Sequence, residues 1–204
     1  DLNKDGHTDL VITGRDPSGT FSTTATLYLG DGNGGFSEAD AGLTGIWTGD
    51  SAIGDVNDDG NQDIAIVGDT EATISNTNPS ATLYLGNGDG TFDEQSAGLT
   101  PVVDGDVSIA PVDGDAYQDL LVAGDGTTTL YLSDGSGGVS EANAGLTGVS
   151  NSSASIADLD GDSDRDLLVT GYNAQIDGAV TRPYINRGLQ SAPNRAPEFI
   201  RTIE

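Results

Sequence analysis

Four short stretches of this sequence concentrate oxygen-bearing side chains at fixed spacing. DLNKDGHTDL begins at Asp1, DVNDDGNQDI at Asp55, PVDGDAYQDL at Pro111 and DLDGDSDRDL at Asp158. A hard divalent cation such as calcium takes six to eight oxygen ligands, and a tight loop can wrap alternate positions around it. In the first stretch Asp1, Asn3 and Asp5 are candidate side-chain ligands, His7 contributes its backbone carbonyl and Asp9 closes the loop. The second stretch offers Asp55, Asn57, Asp59, the Asn61 carbonyl and Asp63 in the same places. The fourth offers Asp158, Asp160, Asp162, the Asp164 carbonyl and Asp166. Gly6 and Gly60 allow the sharp turn such a loop needs, and Ser163 takes that place in the fourth copy.

The third stretch departs from the pattern. Pro111 replaces the first aspartate and Ala116 the glycine, so Asp113, Asp115 and Asp119 are what remains. This loop is expected to bind calcium weakly or not at all. An EF-hand is excluded, because its bidentate Glu at position 12 is here Ile12, Ile66 or Val169 within apolar runs. Clusters of Asp and Asn also form turns on solvated surfaces, but agreement at five positions in three loops favours the metal reading. Of the 33 acids, 15 lie in these four stretches, leaving 18 elsewhere against the 7 bases of the whole chain. That remaining excess suits a salty medium, a second reason for acidity besides ligation.

The elements that must position these loops recur in phase with them. TLYLGDGNGGF starts at Thr26, TLYLGNGDGTF at Thr82 and TLYLSDGSGGV at Thr129, followed by AGLTG at Ala41, AGLTP at Ala97 and AGLTG at Ala144. A further element, SAIGD from Ser51, VSIAP from Val107 and SASIAD from Ser153, precedes each later loop. The apolar runs Leu10–Ile12, Ile64–Val67, Leu120–Val122 and Leu167–Val169 suit short strands buried on both faces. In TLYLG, Leu27 and Leu29 share one face and Tyr28 takes the other. Segments between are rich in Gly, Asn, Asp and Ser, as turns are, and no helical period is sustained. About four short strands per repeat of roughly 50 residues is the signature of a propeller blade. The expected fold is therefore an all-β propeller of about four four-stranded blades.

Joined to a downstream LYLG-D-G-x-G-x-F, the D-x-[DN]-x-D-G-x-x-D-L loop resembles the FG-GAP/VCBS repeats of bacterial surface proteins, related to the integrin α-subunit propeller. The resemblance spans the chain to about residue 188. It implies that each loop joins the first two strands of a blade, that calcium holds those strands in place, and that the repeats form a segment of a larger propeller, commonly seven-bladed. The repeats divide as 1–50, 51–106, 107–152 and 153–188, with the first copy expected to lack the strand preceding Asp1. Residues 189–204, with Pro193 and Pro197, are expected to form a linker leading into a following strand or β-domain.

Composition narrows the function classes. With 7 Lys and Arg and a formal charge of −26, the chain lacks the clustered cations that bind nucleic acid or anionic membranes. There is no cysteine for a disulfide or thiolate site, and no apolar stretch approaches the roughly 20 residues of a membrane helix. The single histidine, His7, lies inside a metal loop, and the carboxylate pairs recur in every repeat whereas a catalytic pair is needed once. The chain is thus expected to be no enzyme, but an exported, calcium-binding interaction or adhesion module, extracellular or at the cell surface. Its expected partner is a protein or glycan, or further copies of itself within an oligomer or a larger parent chain. Two alternatives stand beside this: a carbohydrate-binding or accessory domain of a polysaccharide-active enzyme, with Trp47 the only tryptophan to stack on a sugar, and a structural spacer or filament subunit.

Overall fold

In a computed structural model the chain is described over residues 1–16, 22–71, 77–188 and 197–201. Fifteen strands form four antiparallel sheets, with no helix among the described residues. The first sheet comprises β1 (Leu10–Arg15), β2 (Thr23–Gly30) and β3 (Phe36–Ala39). The second comprises β4 (Thr48–Gly54), β5 (Asp63–Asp69), β6 (Pro79–Gly86) and β7 (Phe92–Gln95). The third holds β8 (Asp106–Ala110), β9 (Asp119–Gly124), β10 (Thr127–Ser133) and β11 (Val139–Ala142). The fourth holds β12 (Ser150–Ala157), β13 (Asp166–Asn173), β14 (Gly178–Asn186) and β15 (Phe199–Arg201).

Within each sheet every strand pairs with its sequence neighbour, so each repeat closes its ladder locally. The acidic loops join β4 to β5, β8 to β9 and β12 to β13, while the first loop leads into β1. At Phe199, where a following strand or β-domain is expected, a strand does begin; it pairs with β14, Asn186 opposite Phe199, and completes the fourth sheet. The edge of Phe199 meets the ring of Tyr184 at 6.2 Å between centroids, an apolar contact that draws the segment back. Of the segment 189–204 expected to begin as a linker, residues 189–196 and 202–204 lie outside the described residues.

No sheet has a core of its own; the apolar core lies in the three seams. Leu2, Leu27 and Ile46 meet Ile64, Ile66 and Tyr84 between the first and second sheets. Val56, Ala65 and Leu83 meet Leu120, Val122 and Tyr131 between the second and third. Leu121, Leu130 and Leu132 meet Leu167, Val169 and Tyr184 between the third and fourth. Because a sheet must bury both faces against neighbours, β5 and β9 are buried along their whole length. β1 carries the same kind of apolar run, but Leu10 and Ile12 remain 40% and 51% exposed.

Two of the recurring motifs also meet across the seams. The Tyr84 hydroxyl donates to Thr44 Oγ1 at 2.8 Å and accepts from the Thr44 amide at 3.0 Å. Tyr131 and Thr100 repeat both bonds at 2.9 and 2.8 Å, and the Tyr184 hydroxyl accepts from the Thr147 amide at 2.7 Å. The tyrosine of TLYL in the second and third repeats, and of TRPYI in the fourth, thus seats on the threonine of the preceding repeat's AGLT. Each bond satisfies a polar group at the margin of an apolar seam, where leaving it unpaired would be costly.

Candidate metal centres

Each acidic loop is shaped by its own carboxylates before any cation is considered. In the first, Asp1 accepts the amides of Asp5 and Gly6 at 3.2 and 2.9 Å, Asn3 Oδ1 accepts Asp5 N at 3.2 Å, and Asp5 accepts His7 N at 2.9 Å. The second loop repeats these contacts with Asp55, Asn57, Asp59, Gly60 and Asn61. In the fourth, Asp158 accepts from Gly161 and Ser163, Asp160 from Asp162, and Asp162 from Asp164. Short side chains that accept nearby amides make a chain of tight turns, which leaves the carboxylates gathered on the inner side of the loop. The turn at the sixth position is left-handed in all three, with φ of +85° at Gly6, +81° at Gly60 and +81° at Ser163.

The closing aspartates do more than the spacing suggested. Asp9, Asp63, Asp119 and Asp166 are all buried. One oxygen of each accepts the amide of loop position two: Leu2, Val56, Val112 and Leu159, at 2.6 to 2.7 Å. The other accepts the last amide of the third repeat strand: Gly30, Gly86, Ser133 and Asn186, at 2.8 to 3.0 Å. Each carboxylate therefore brackets its loop to a strand some 14 to 23 residues onward. A carboxylate has about four lone-pair sites, so two amides leave room for a cation. The recurrence of this aspartate beside TLYLG was the available signal, but spacing alone does not reveal a bond between them.

Position-seven side chains have a further use that spacing did not indicate. A Cβ built on Gly32 would meet the His7 ring at 2.5 Å, and one on Gly135 would meet the Tyr117 ring at 2.4 Å. These side chains cover the glycine turn after the third strand, which explains why that turn must be glycine while position seven varies.

The loops differ in charge balance. Asn3 and Asn57 donate their amides to Asp5 and Asp59 at 2.9 and 3.0 Å. Asp5 is held below the usual carboxylate range by Asn3 and then the His7 amide; Asp59 likewise by the Asn61 amide first, then by Asn57. The fourth loop has Asp160 where those asparagines stand. There Asp158, Asp160 and Asp166 each place a carboxylate oxygen within 4.8 Å of the others, the one such trio among the described residues. Desolvation within the loop, joined by the charges of Asp162 and Asp166, raises Asp160. Oxygen donors alone, several of them anionic, converging in a loop fit a hard cation and not a soft one.

The third loop takes another course. Asp113 and Asp119 are fully buried, and one oxygen of Asp115 is buried with no hydrogen-bond partner. Burial, followed by the charge of Asp113, pushes Asp119 up to about 7; burial likewise raises Asp115. Position four is left-handed in every loop, at Lys4, Asp58, Gly114 and Gly161, but the third loop lacks the second left-handed turn at position six, where Ala116 stands. The altered residues thus redirect the loop inward.

Sequence reading also passed over Asp50 and Asp106, half-buried at the same repeat position on β4 and β8, each five residues ahead of an acidic loop. Trp47 is half-buried, its backbone amide bonded to the Asp69 carbonyl at 2.7 Å.

A family profile described as an FG-GAP-like repeat matches residues 1–66 and 112–169. No curated protein matches the sequence. Among solved structures, a lectin of Agrocybe aegerita, reported for specific recognition of non-reducing terminal N-acetylglucosamine, is similar in fold. It aligns with a TM-score of 0.55 at 18% identity over 98% of this chain, and the chain spans about half of that protein's length, 49%.

Proposed function

Since this chain belongs to the FG-GAP-like repeat family, we propose that its sheets are blades of a calcium-stabilised β-propeller that acts by binding a partner and not by catalysis. The observation that carries this reading is the convergence of Asp158, Asp160 and Asp166 in the fourth loop. Three carboxylates held so close repel one another, and a divalent cation removes that repulsion while joining β12 to β13. Asp158, Asp160, Asp162 and Asp166, with the Asp164 carbonyl, would hold the ion there. Asp1, Asn3, Asp5, Asp9 and the His7 carbonyl would do so in the first loop, and Asp55, Asn57, Asp59, Asp63 and the Asn61 carbonyl in the second. Calcium supplies charge neutralisation, and the protein's own bracket from closing aspartate to third strand passes that stability to the sheet. Affinity on the order of 10⁻⁴–10⁻³ M, that of extracellular modules, is expected. FG-GAP repeats are typical of extracellular proteins, and no helix among the described residues is long and apolar enough to cross a membrane.

Thermal unfolding of the full chain with calcium or chelator, at constant ionic strength, tests this. A calcium-specific rise of the midpoint is expected, because a ligand that binds the native state alone stabilises it by mass action. Equal midpoints with calcium, magnesium, sodium and chelator would leave the loops as ordinary turns.

A second reading, that the partner is a glycan, draws support from the fold shared with the N-acetylglucosamine lectin. Glycan-array binding that disappears in Trp47→Ala would favour it; binding unaffected by that substitution would remove Trp47 from the reading.

A further inference from the structure

Strands β4, β8 and β12 form the same edge of the second, third and fourth sheets, and each packs on the next. Asp50, Asp106 and Ser153 occupy one repeat position along them, immediately ahead of SAIG, VSIA and ASIA. The two aspartates reach across the seams. Asp50 Oδ2 accepts the Val107 amide at 3.4 Å, and Asp106 Oδ2 accepts the Ala154 amide. The Val107 amide that Asp50 accepts adjoins Asp106, which brings the two carboxyl groups together across the seam, near enough for Asp50 to raise Asp106.

Their approach has a chemical requirement. An ionised carboxylate is only an acceptor, so two of them can hydrogen-bond only when one carries a proton. The surroundings favour retaining it. Opposite Asp106 in the ladder stands Ala123 of β9, and opposite Asp50 stands Val67 of β5. β12 presents the Ser153 hydroxyl and the Ala154 amide and carries no ionisable side chain. The other acids of the packed strands lie elsewhere in the ladders, Asp119 opposite Ala110, Asp63 opposite Gly54 and Asp69 opposite Thr48. Burial first, and then Asp50, push Asp106 up to about 6.

We propose that Asp50 and Asp106 form a proton-operated clasp across the seam between the second and third sheets, closed while the pair holds one proton and released on its loss. With both groups ionised, two like charges this close repel, and the long bond from Val107 to Asp50 is the first tie to give way. The sign follows from the direction of the shift. An acid raised in the folded state adds stability as pH falls from above its folded value toward its unfolded one. The clasp therefore tightens from about pH 7 down to about pH 4. Ser153 leaves the next seam without an acid pair, which confines the response to one place. The inference does not depend on metal binding.

Native-state hydrogen exchange of the full chain in chelator tests it, with protection corrected for the intrinsic rate at each pH. Between about pH 5 and pH 7.5, protection of the Val107 amide should fall about tenfold or more, as expected for a group shifted by more than one pKa unit. Asp106→Asn keeps an acceptor for Ala154 and offers Asp50 a permanent donor, so its Val107 protection should stay level across that range. Asp50→Asn places the donor on the other side and should behave alike, which decides the matter if one variant folds poorly. The Thr147 amide, bonded to the Tyr184 hydroxyl, serves as an internal reference. Flat Val107 protection in the wild type, or an equal fall in both folded variants, overturns the proposal.

Discussion

In both the third and the fourth acidic loop the last aspartate is fully buried and ties a loop amide to a strand amide, yet the carboxylates around it are disposed in opposite ways. The fourth loop keeps Asp158 and Asp160 at the surface, beside Asp166. The third loop, with Pro111 and Ala116 in place of aspartate and glycine, turns Asp113 inward until it is as buried as Asp119. Surface carboxylates that converge invite a cation. Buried ones that converge retain a proton, because desolvation penalises the charged form. The bracket from closing aspartate to third strand is therefore separable from the proposed metal ligation: one repeat retains the first while having lost a donor of the second.

The largest effect should come from breaking the bracket where both roles coincide. Asp166→Ala removes the acceptor of the Leu159 and Asn186 amides along with a proposed ligand. A loss of about 3–5 kcal/mol is expected from stranding buried amides bonded to a charged group, measured by denaturant unfolding in calcium. A loss under about 1 kcal/mol would mean that water replaces the bracket.

Next in size is the pH response of the third loop. Asp119 stands at about 7 in the folded protein against the usual 3.8. Being an acid that is raised on folding, it stabilises increasingly as pH falls from above 7 toward 4. In chelator, wild type should gain about 2–4 kcal/mol over that range from this residue. Asp119→Asn should flatten that part of the profile; an unchanged slope would assign the response to other groups.

The comparison can also be reversed. Pro111→Asp with Ala116→Gly should restore a cation loop in the third repeat and add about 1–2 kcal/mol of calcium-dependent stability, visible as an increment in the calcium-induced midpoint shift. No increment would show that the inward packing of Asp113, and not the missing donor, blocks the site. The smallest effect belongs to Ser163, a non-glycine residue at φ +81°. Ser163→Gly should stabilise by about 0.5–1 kcal/mol by relieving left-handed strain, while Gly60→Ala in the second loop should cost a similar amount.

How far the sequence could be read varies from element to element. Strands, turns and loop positions follow from residue order, since alternation, glycine and aspartate act over a few neighbours; β5, β9 and the second acidic loop are legible in this way. The partners of Tyr84, Tyr131 and Tyr184 are not, because a hydroxyl some 30 to 40 residues from its threonine meets it only when sheets stack. The same applies to Phe199, whose place in the fourth sheet depends on Tyr184 and β14.

Residue order by itself determined the repeat, the all-β character, the acidic loops and the departure of the third from the rest, all consequences of local chemistry. Tertiary structure alone decided which carboxylates stay wet and which are buried, that each closing aspartate ties two amides far apart in the chain, and that Asp50 meets Asp106. It also decided that Leu10 and Ile12 stay exposed while the matching residues of β5 are covered. Burial and charge proximity are properties of neighbours brought together across seams, and a carboxylate's chemistry depends on them more than on its position in a motif.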